Sequence, residues 1–371
     1  MRLGRKDCMD AKVPAPKHER LRIGVESGLV MTVLGQIPAD ALGITLPHEH
    51  ILLDASSKFV APCCASRRKL ACEPVSIGMI GELRMDPLAN LDNCKLYDAE
   101  VAAEELMRFR ELGGQTVVDP TNLGLGRDPE ALQRISRRTG LNIVMGCGLY
   151  LEASHPARVR GMSADDIAEM IVRDVGGADE RPPVVAGIIG EIGVSPWFTD
   201  AEEQSLRGAA RAAARTKVPL SIHLPGWRRY AHRVLDIVEA EGADLHHTVL
   251  CHMNPSLDDW EYQTSVARRG AFLEYDQIGM DYFFADDDAQ SPADEENARA
   301  LKRLIDAGLI DRLLISQDVF LKMMLTRYGG FGYGYILRHF VPRLRRHGVS
   351  GEEIHTLLVA NPRRVFANAL A

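Results

Sequence analysis

What most constrains this chain is an alternation. Eight times after residue 42 a short apolar run gives way to a longer stretch whose apolar residues recur at helical spacing. That pattern favours a parallel sheet with crossover helices. The runs are Gly43 to His50, Gln115 to Asp119, Asn142 to Gly146, Val184 to Glu191, Val218 to His223, Thr248 to His252, Ala271 to Tyr275 and Arg312 to Asp318. The stretches between them carry their own punctuation. Ala102, Leu106, Phe109 and Leu112 share one helical face that stops at Gly113-Gly114. Asp128-Pro129 caps and opens a helix that ends at Gly140, and Ser163 caps another. Thr199 and Glu202 have capping-box spacing ahead of an Ala-rich helix to Arg215. Ala231, Val234, Leu235 and Val238 line a face closed by Gly242. Leu257 to Arg269 reads as helix, and Ser291-Pro292 opens one that Gly308 stops. Eight strand-then-helix units predict an α/β fold of the (β/α)8 TIM-barrel type. A doubly wound sheet is the rival, but no Gly-rich phosphate turn follows the first strand.

The 371 residues suit one large barrel, and 46% hydrophobic with 26% charged residues is an ordinary globular balance. A net charge of −7 gives no reason to expect nucleic acid or an anionic membrane as partner. No window reaches the roughly 20 apolar residues that span a bilayer. Seven cysteines without a CxxC pair predict a cytoplasmic protein with reduced thiols; the grouping of Cys63, Cys64 and Cys72 leaves a metal clip open. Residues 1–28 are basic without an apolar core and read as a flexible extension rather than a signal. Residues 29–371 read as one barrel domain, starting with a short strand from Leu29 to Leu34 and interrupted by a long loop over about 55–97. The Gly-rich run 328–334 is either a lid or a rigid turn.

The residues that carry chemistry fall at one place in this pattern. His48 and His50 end the first strand, Glu191 the fourth, His223 the fifth, His252 the sixth and Asp318 the eighth. All strand C-termini of a TIM barrel lie on one face, where active sites sit, so six nitrogen and oxygen donors converge there. Alternate strand residues point the same way, so His48-x-His50 presents two imidazoles together. Imidazole with carboxylate suits Zn²⁺, with Mn²⁺, Co²⁺ or Fe²⁺ as the other candidates. Tyr150, Asn254, Tyr275, Asp276 and Lys322 lie just beyond the strands, where loops select substrates. Each can donate to or accept from a substrate, and ordinary packing or solvation of each stays equally open.

Leu42-Gly43-Ile44-Thr45-Leu46-Pro47-His48-Glu49-His50 resembles the opening signature of the phosphotriesterase family, within the amidohydrolase superfamily. So do Gly187-Ile188-Ile189-Gly190-Glu191-Ile192-Gly193, Ser221-Ile222-His223, Cys251-His252, Leu273-Glu274-Tyr275-Asp276 and Tyr328-Gly329-Gly330-x-Gly332-Tyr333. The resemblance runs from about residue 30 to 368. It implies two divalent ions bridged by a carboxylate and a hydroxide: His48, His50 and Asp318 on the buried ion, His223 and His252 on the more exposed one, and Glu191 bridging. The best-known branch bridges with a carboxylated lysine. Glu191 instead resembles the phosphotriesterase-related branch, which weakens the case for organophosphates as native substrates.

The function this resemblance implies is hydrolysis of a small carboxylic ester, lactone or N-acyl amide. Paired cations supply hydroxide near neutral pH and polarise the C=O or P=O oxygen, and Asp318 passes the proton to the leaving group. A carboxylate at such a position can also be a helix N-cap. The rivals are organophosphate hydrolysis on the same site and a small-molecule-binding barrel without turnover. The resemblance further implies a homodimer and a small-molecule substrate.

Overall fold

The computed structural model describes residues 28–62, 64–176, 183–284 and 288–367. The expected extension, apart from Gly28, and Cys63 lie outside these residues. Of the grouped cysteines, Cys64 and Cys72 are exposed, and neither belongs to a metal-type cluster among the described residues.

Eight strands form one sheet: β1 (Thr45–Leu46), β2 (Thr116–Asp119), β3 (Asn142–Cys147), β4 (Ile188–Gly193), β5 (Leu220–His223), β6 (Thr248–Leu250), β7 (Phe272–Tyr275) and β8 (Leu313–Ile315). They are ordered consecutively and every pairing is parallel. No ladder joins β1 to β8, yet the chain just past them meets. His50 N donates to Val319 O at 3.2 Å and Asp318 N to His48 O at 3.3 Å. The seam is sewn by Glu49, which is fully buried. Its carboxylate accepts from Ser316 Oγ (2.7 Å), Gln317 N (2.9 Å) and Val319 N (2.8 Å). Burial pushes this carboxyl up to about 7 against the pull of those donors.

Seven helices follow strands β1 to β7: α1 (Ala99–Glu111), α2 (Pro129–Thr139), α3 (Ala164–Asp174), α4 (Asp200–Thr216), α5 (Ala231–Ala240), α6 (Trp260–Arg268) and α7 (Asp294–Asp306). The expected caps form. Asp128 accepts from Ala131 N, Gly140 adopts the left-handed C-cap, and Ser163 and Thr199 build capping boxes with Asp166 and Glu202. After β8 the chain closes with Val341–Arg346, Gly351–His355 and Asn361–Phe366. Ser291-Pro292 precedes α7 without starting it; Ala293 is the N-cap.

Alternation along the strands splits the core in two. Val118, Val144, Ile188, Val249, Phe272 and Leu314 fill the barrel interior. Val117, Ile143, Ile189, Ile222, Leu273 and Ile315 belong to the larger cluster that packs under the helices. The interior is plugged at the strand N-termini by Val30, Leu42, Val365 and Phe366. Val30 comes from a hairpin, Leu29–Thr32 with Gly35–Pro38. Asn361 ties the C-terminal helix there by donating to the carbonyls of Ile310 and Leu313, ahead of and at the start of β8.

The stretch 55–97 is a folded insertion, with helix Ile80–Met85 and strand Lys95–Leu96 pairing antiparallel with Leu53–Asp54. The Gly-rich run is a rigid turn. Gly330 N donates to Leu325 O at 3.0 Å, and a Cβ on Gly330 would stand 2.1 Å from Met324 O. The turn delivers Tyr333, whose hydroxyl donates to His50 O at 2.7 Å.

Candidate active site

The strand C-termini gather His48, His50, Glu191, His223, His252 and Asp318, all buried. Most of the expected strands are longer than the ladders that form, so three of these elements reach the site by leaving the ladder. His48 and His50 lie two and four residues past β1. His252 and Asp318 follow the ends of β6 and β8 and take left-handed backbone, with φ of 60° and 48°. Non-glycine residues pay of order 1 kcal/mol there, so both positions are held by other contacts. His252 N donates to Asp276 Oδ2 at 2.9 Å, and Asp318 N reaches His48 O. Asp318 caps no helix, because irregular chain follows it up to the short turn Lys322–Met324.

Glu191 arrives by a different device. Ile188 packs inside the barrel and Ile189 outside, so strict alternation would turn Glu191 outward. A register irregularity against both neighbouring strands intervenes at this point and reverses the parity. It needs Gly190, with φ of 140°, since a Cβ there would lie 2.4 Å from Ser221 O.

The two oxygens of Glu191 face different histidines. Oε1 lies 3.4 Å from His50 Nε2. Oε2 lies 3.0 Å from His223 Nδ1, 3.4 Å from His252 Nε2 and 3.8 Å from His48 Nε2. Asp318 Oδ1 is 3.6 Å from His48 Nε2 and 3.4 Å from His50 Nε2. Three imidazoles are fixed from behind through Nδ1: His48 by Glu274 at 3.0 Å, His50 by Thr121 at 2.7 Å, and His252 by Asp276 at 3.0 Å. Each so held turns Nε2 inward. His48 Nε2 and Asp318 Oδ1 are buried there without a hydrogen-bond partner. Inward Nε2 atoms, two backed by carboxylates and one by a hydroxyl, with unpartnered ligand-type atoms between them, are the arrangement metal-ligating histidines adopt.

Charge in the cluster is unbalanced. Burial alone would lower the histidines, but Asp318 and Glu191 hold His50 up to about 9. Against the same burial, Asp276 and Glu191 hold His252 up to about 10. His223 goes the other way, down to about 3, through burial and the neighbouring His252. Burial would raise Glu191, yet the imidazoles of His223, His252 and His48 keep it well below the carboxylate range. Such a cluster favours added positive charge. Among the described residues, metal-type groupings with donor atoms within 4.8 Å include His48–His50–Asp318 and His48–Glu191–His252.

The cluster opens into a cavity of about 850 Å³. Its lining includes Leu53, Lys58, Leu88, Leu125, Tyr150 and Leu151 from the loops after β1 to β3, and Trp197, Trp227, Met280 and Phe284 from the loops after β4, β5 and β7. Of the expected substrate contacts, Tyr150 lies in this lining, its hydroxyl 3.3 Å from His223 Nδ1. Asp276 is instead spent on His252. The other three expectations are corrected, since none lines the cavity. Tyr275 faces outward and donates to Gln263 at 2.5 Å. Asn254 bonds Asn297 and Gln277 N, and Lys322 pairs with Asp92 at 2.5 Å to pin the insertion. Lys58, Glu49 and Glu274 escape a reading by strand ends. Glu274, however, is two residues from Asp276 and shares its inward parity, which is a signal present in the sequence.

A buried histidine–carboxylate cluster at the C-terminal mouth of a (β/α)8 barrel defines a hydrolase-type active site. Residues 28–366 match the model of the phosphotriesterase family, and the chain belongs to that family. It is 33% identical over 341 residues to the N-acetyltaurine hydrolase of Danio rerio, covering 91% of this chain and 97% of the relative. A resiniferatoxin-binding protein from Rhodobacter sphaeroides superposes with a TM-score of 0.90 at 55% identity, over 92% of this chain and 96% of that one. A lactonase from Listeria monocytogenes gives a TM-score of 0.71 at 25% identity, over 92% and 100%. The chain is an enzyme of this hydrolase family.

Proposed function

We propose that the chain is a binuclear metal-dependent hydrolase that cleaves a small carboxylic ester, lactone or N-acyl amide. The observation that carries the reading is the split of Glu191, one oxygen toward His50 and the other toward His223 and His252. A carboxylate so placed would be able to serve two ions. His48, His50 and Asp318 would hold one, His223 and His252 the other, with zinc the first choice for this donor set. When bound, the ions supply a hydroxide at neutral pH and polarise the scissile carbonyl. The remaining work falls to the chain. Glu274, Thr121 and Asp276 fix the tautomers of three ligands. Asp318 Oδ1, buried and unpartnered, accepts a proton at the reacting centre and returns it to the leaving group. Relatives named for amide and lactone hydrolysis support acyl chemistry over phosphotriester cleavage.

Elemental analysis of protein purified without chelator tests this, paired with a panel of esters, lactones, N-acyl amides and phosphotriesters. About two ions per chain are expected, with a clear loss in Glu191→Ala. Turnover should be highest on an acyl substrate. No metal after incubation with zinc or manganese would overturn the reading and favour a binding barrel. A clear preference for phosphotriesters would move the chemistry to phosphorus.

A further inference from the structure

Lys58 ends the short turn Ser56–Lys58 of the insertion and lines the cavity, half-buried. Its Nζ donates to the Tyr150 hydroxyl at 2.8 Å and lies 5.3 Å from that ring's centroid. An ammonium has three donors, and the hydroxyl takes one. No carboxylate among the described residues lies within ion-pair distance of it; Lys322, in the loop after β8, is paired with Asp92. Leu53, Leu88, Leu125 and Leu151 line the same cavity, and the positive charge of the half-buried ammonium has no opposite charge beside it among the described residues. A negative group on a bound molecule supplies one.

The position also says where that group sits. Tyr150 contacts both ring nitrogens of His223, at 3.3 and 3.4 Å. Lys58 itself forms no hydrogen bond with the histidine–carboxylate cluster among the described residues. It is therefore one hydroxyl removed from the reacting centre, near enough to hold a group a few atoms from the scissile bond. Trp197, Trp227 and Phe284 add aromatic surface to the same lining.

We propose that Lys58 determines specificity by binding an anionic group, a carboxylate or sulfonate, on the half of the substrate that faces the insertion of residues 55–97. This rests on the acyl-hydrolase reading and deepens it. A charge-assisted hydrogen bond in a partly water-excluded site discriminates strongly between a charged ligand and its neutral isostere.

The test is equilibrium binding to the full chain as purified, read by the intrinsic fluorescence of Trp197 and Trp227. The probes are 5-oxohexanoate, a ketone that cannot be hydrolysed, and its neutral amide. Wild type is expected to bind the anion about ten-fold more tightly than the amide. In Lys58→Met the ratio should fall close to one, and Lys58→Arg should keep most of it. A ratio near one in wild type overturns the proposal, as does a preference that survives Lys58→Met, which would place the anion at the metal centre instead. The hydrolase reading is judged separately by turnover. Preference without turnover of any acyl substrate leaves Lys58 as the anion site of a binding protein, and turnover without preference removes Lys58 alone.

Discussion

Asp318 combines three properties that rarely meet in one carboxylate: burial, a left-handed backbone and an oxygen without a partner. Its pKa is held down against burial by His48, His50 and His252, so it stays a base at neutral pH. If it passes the proton to the leaving group, Asp318→Asn should lower kcat by about 10²–10⁴-fold on an N-acyl amide. On a nitrophenyl ester, whose leaving group departs without a proton, the loss should be much smaller. Kinetics on the two substrates, with metal content checked alongside, decide this; an equal loss on both removes the shuttle role. At this scale the sequence made the six cluster residues visible because each sits at a predicted strand end. Lys58 was not visible, because its meeting with Tyr150 joins chain 92 residues apart. Tyr275 was misplaced although its parity argued against it: Glu274 and Asp276 face in, so the residue between them faces out.

Among elements, helix starts were the most legible, because caps are local chemistry. Asp128, Ser163 and Thr199 need only the next three residues to act. Strand ends were less so. The ladders of β1, β6 and β8 stop short because His48, His252 and Asp318 leave the sheet to converge, a tertiary demand that overrides local pattern. Glu191 depends on a register shift that no run of apolar residues announces. Between helices, Glu241 at the end of α5 ties α4 down: it accepts from Arg207 at 2.8 Å and from Arg211 at 2.7 Å. Hydrogen bonds from Arg211 and Arg207 lower its pKa. A depressed folded-state pKa means that the contribution is present above the unfolded value of about 4.5 and is lost as pH falls through the folded value. Glu241→Gln should therefore cost roughly 0.5 kcal/mol at pH 7, the scale of solvent-accessible pairs. Urea denaturation should show the cost shrinking between pH 5 and 3, and a cost independent of pH would assign the effect to packing.

For the whole molecule, the barrel keeps its two ends for different purposes. The strand C-termini carry a cluster whose unpaired atoms and mismatched charges are unfavourable for folding alone. The N-terminal end carries an apolar plug with no chemistry, made by residues distant in sequence, Val30 from the hairpin and Val365 and Phe366 from the last helix. The eight-unit alternation made the barrel legible, but nothing in a linear pattern joins residue 30 to residue 366, so the plug emerges only when the sheet wraps. The separation predicts how damage should be distributed. Phe366 is 1% exposed, so Phe366→Ala leaves a cavity under the barrel and should cost about 3–5 kcal/mol. The same variant should hold as much metal per folded chain as wild type, because the interior residues between the plug and the ligands are themselves close-packed. Denaturation and elemental analysis of one preparation measure both quantities. A stability loss with unchanged stoichiometry means that the site is set by its own local contacts, including Glu49 and the carboxylates behind the histidines. Metal loss in step with stability would mean that ligand placement depends on the packing of the whole interior, and that the plug belongs functionally to the site.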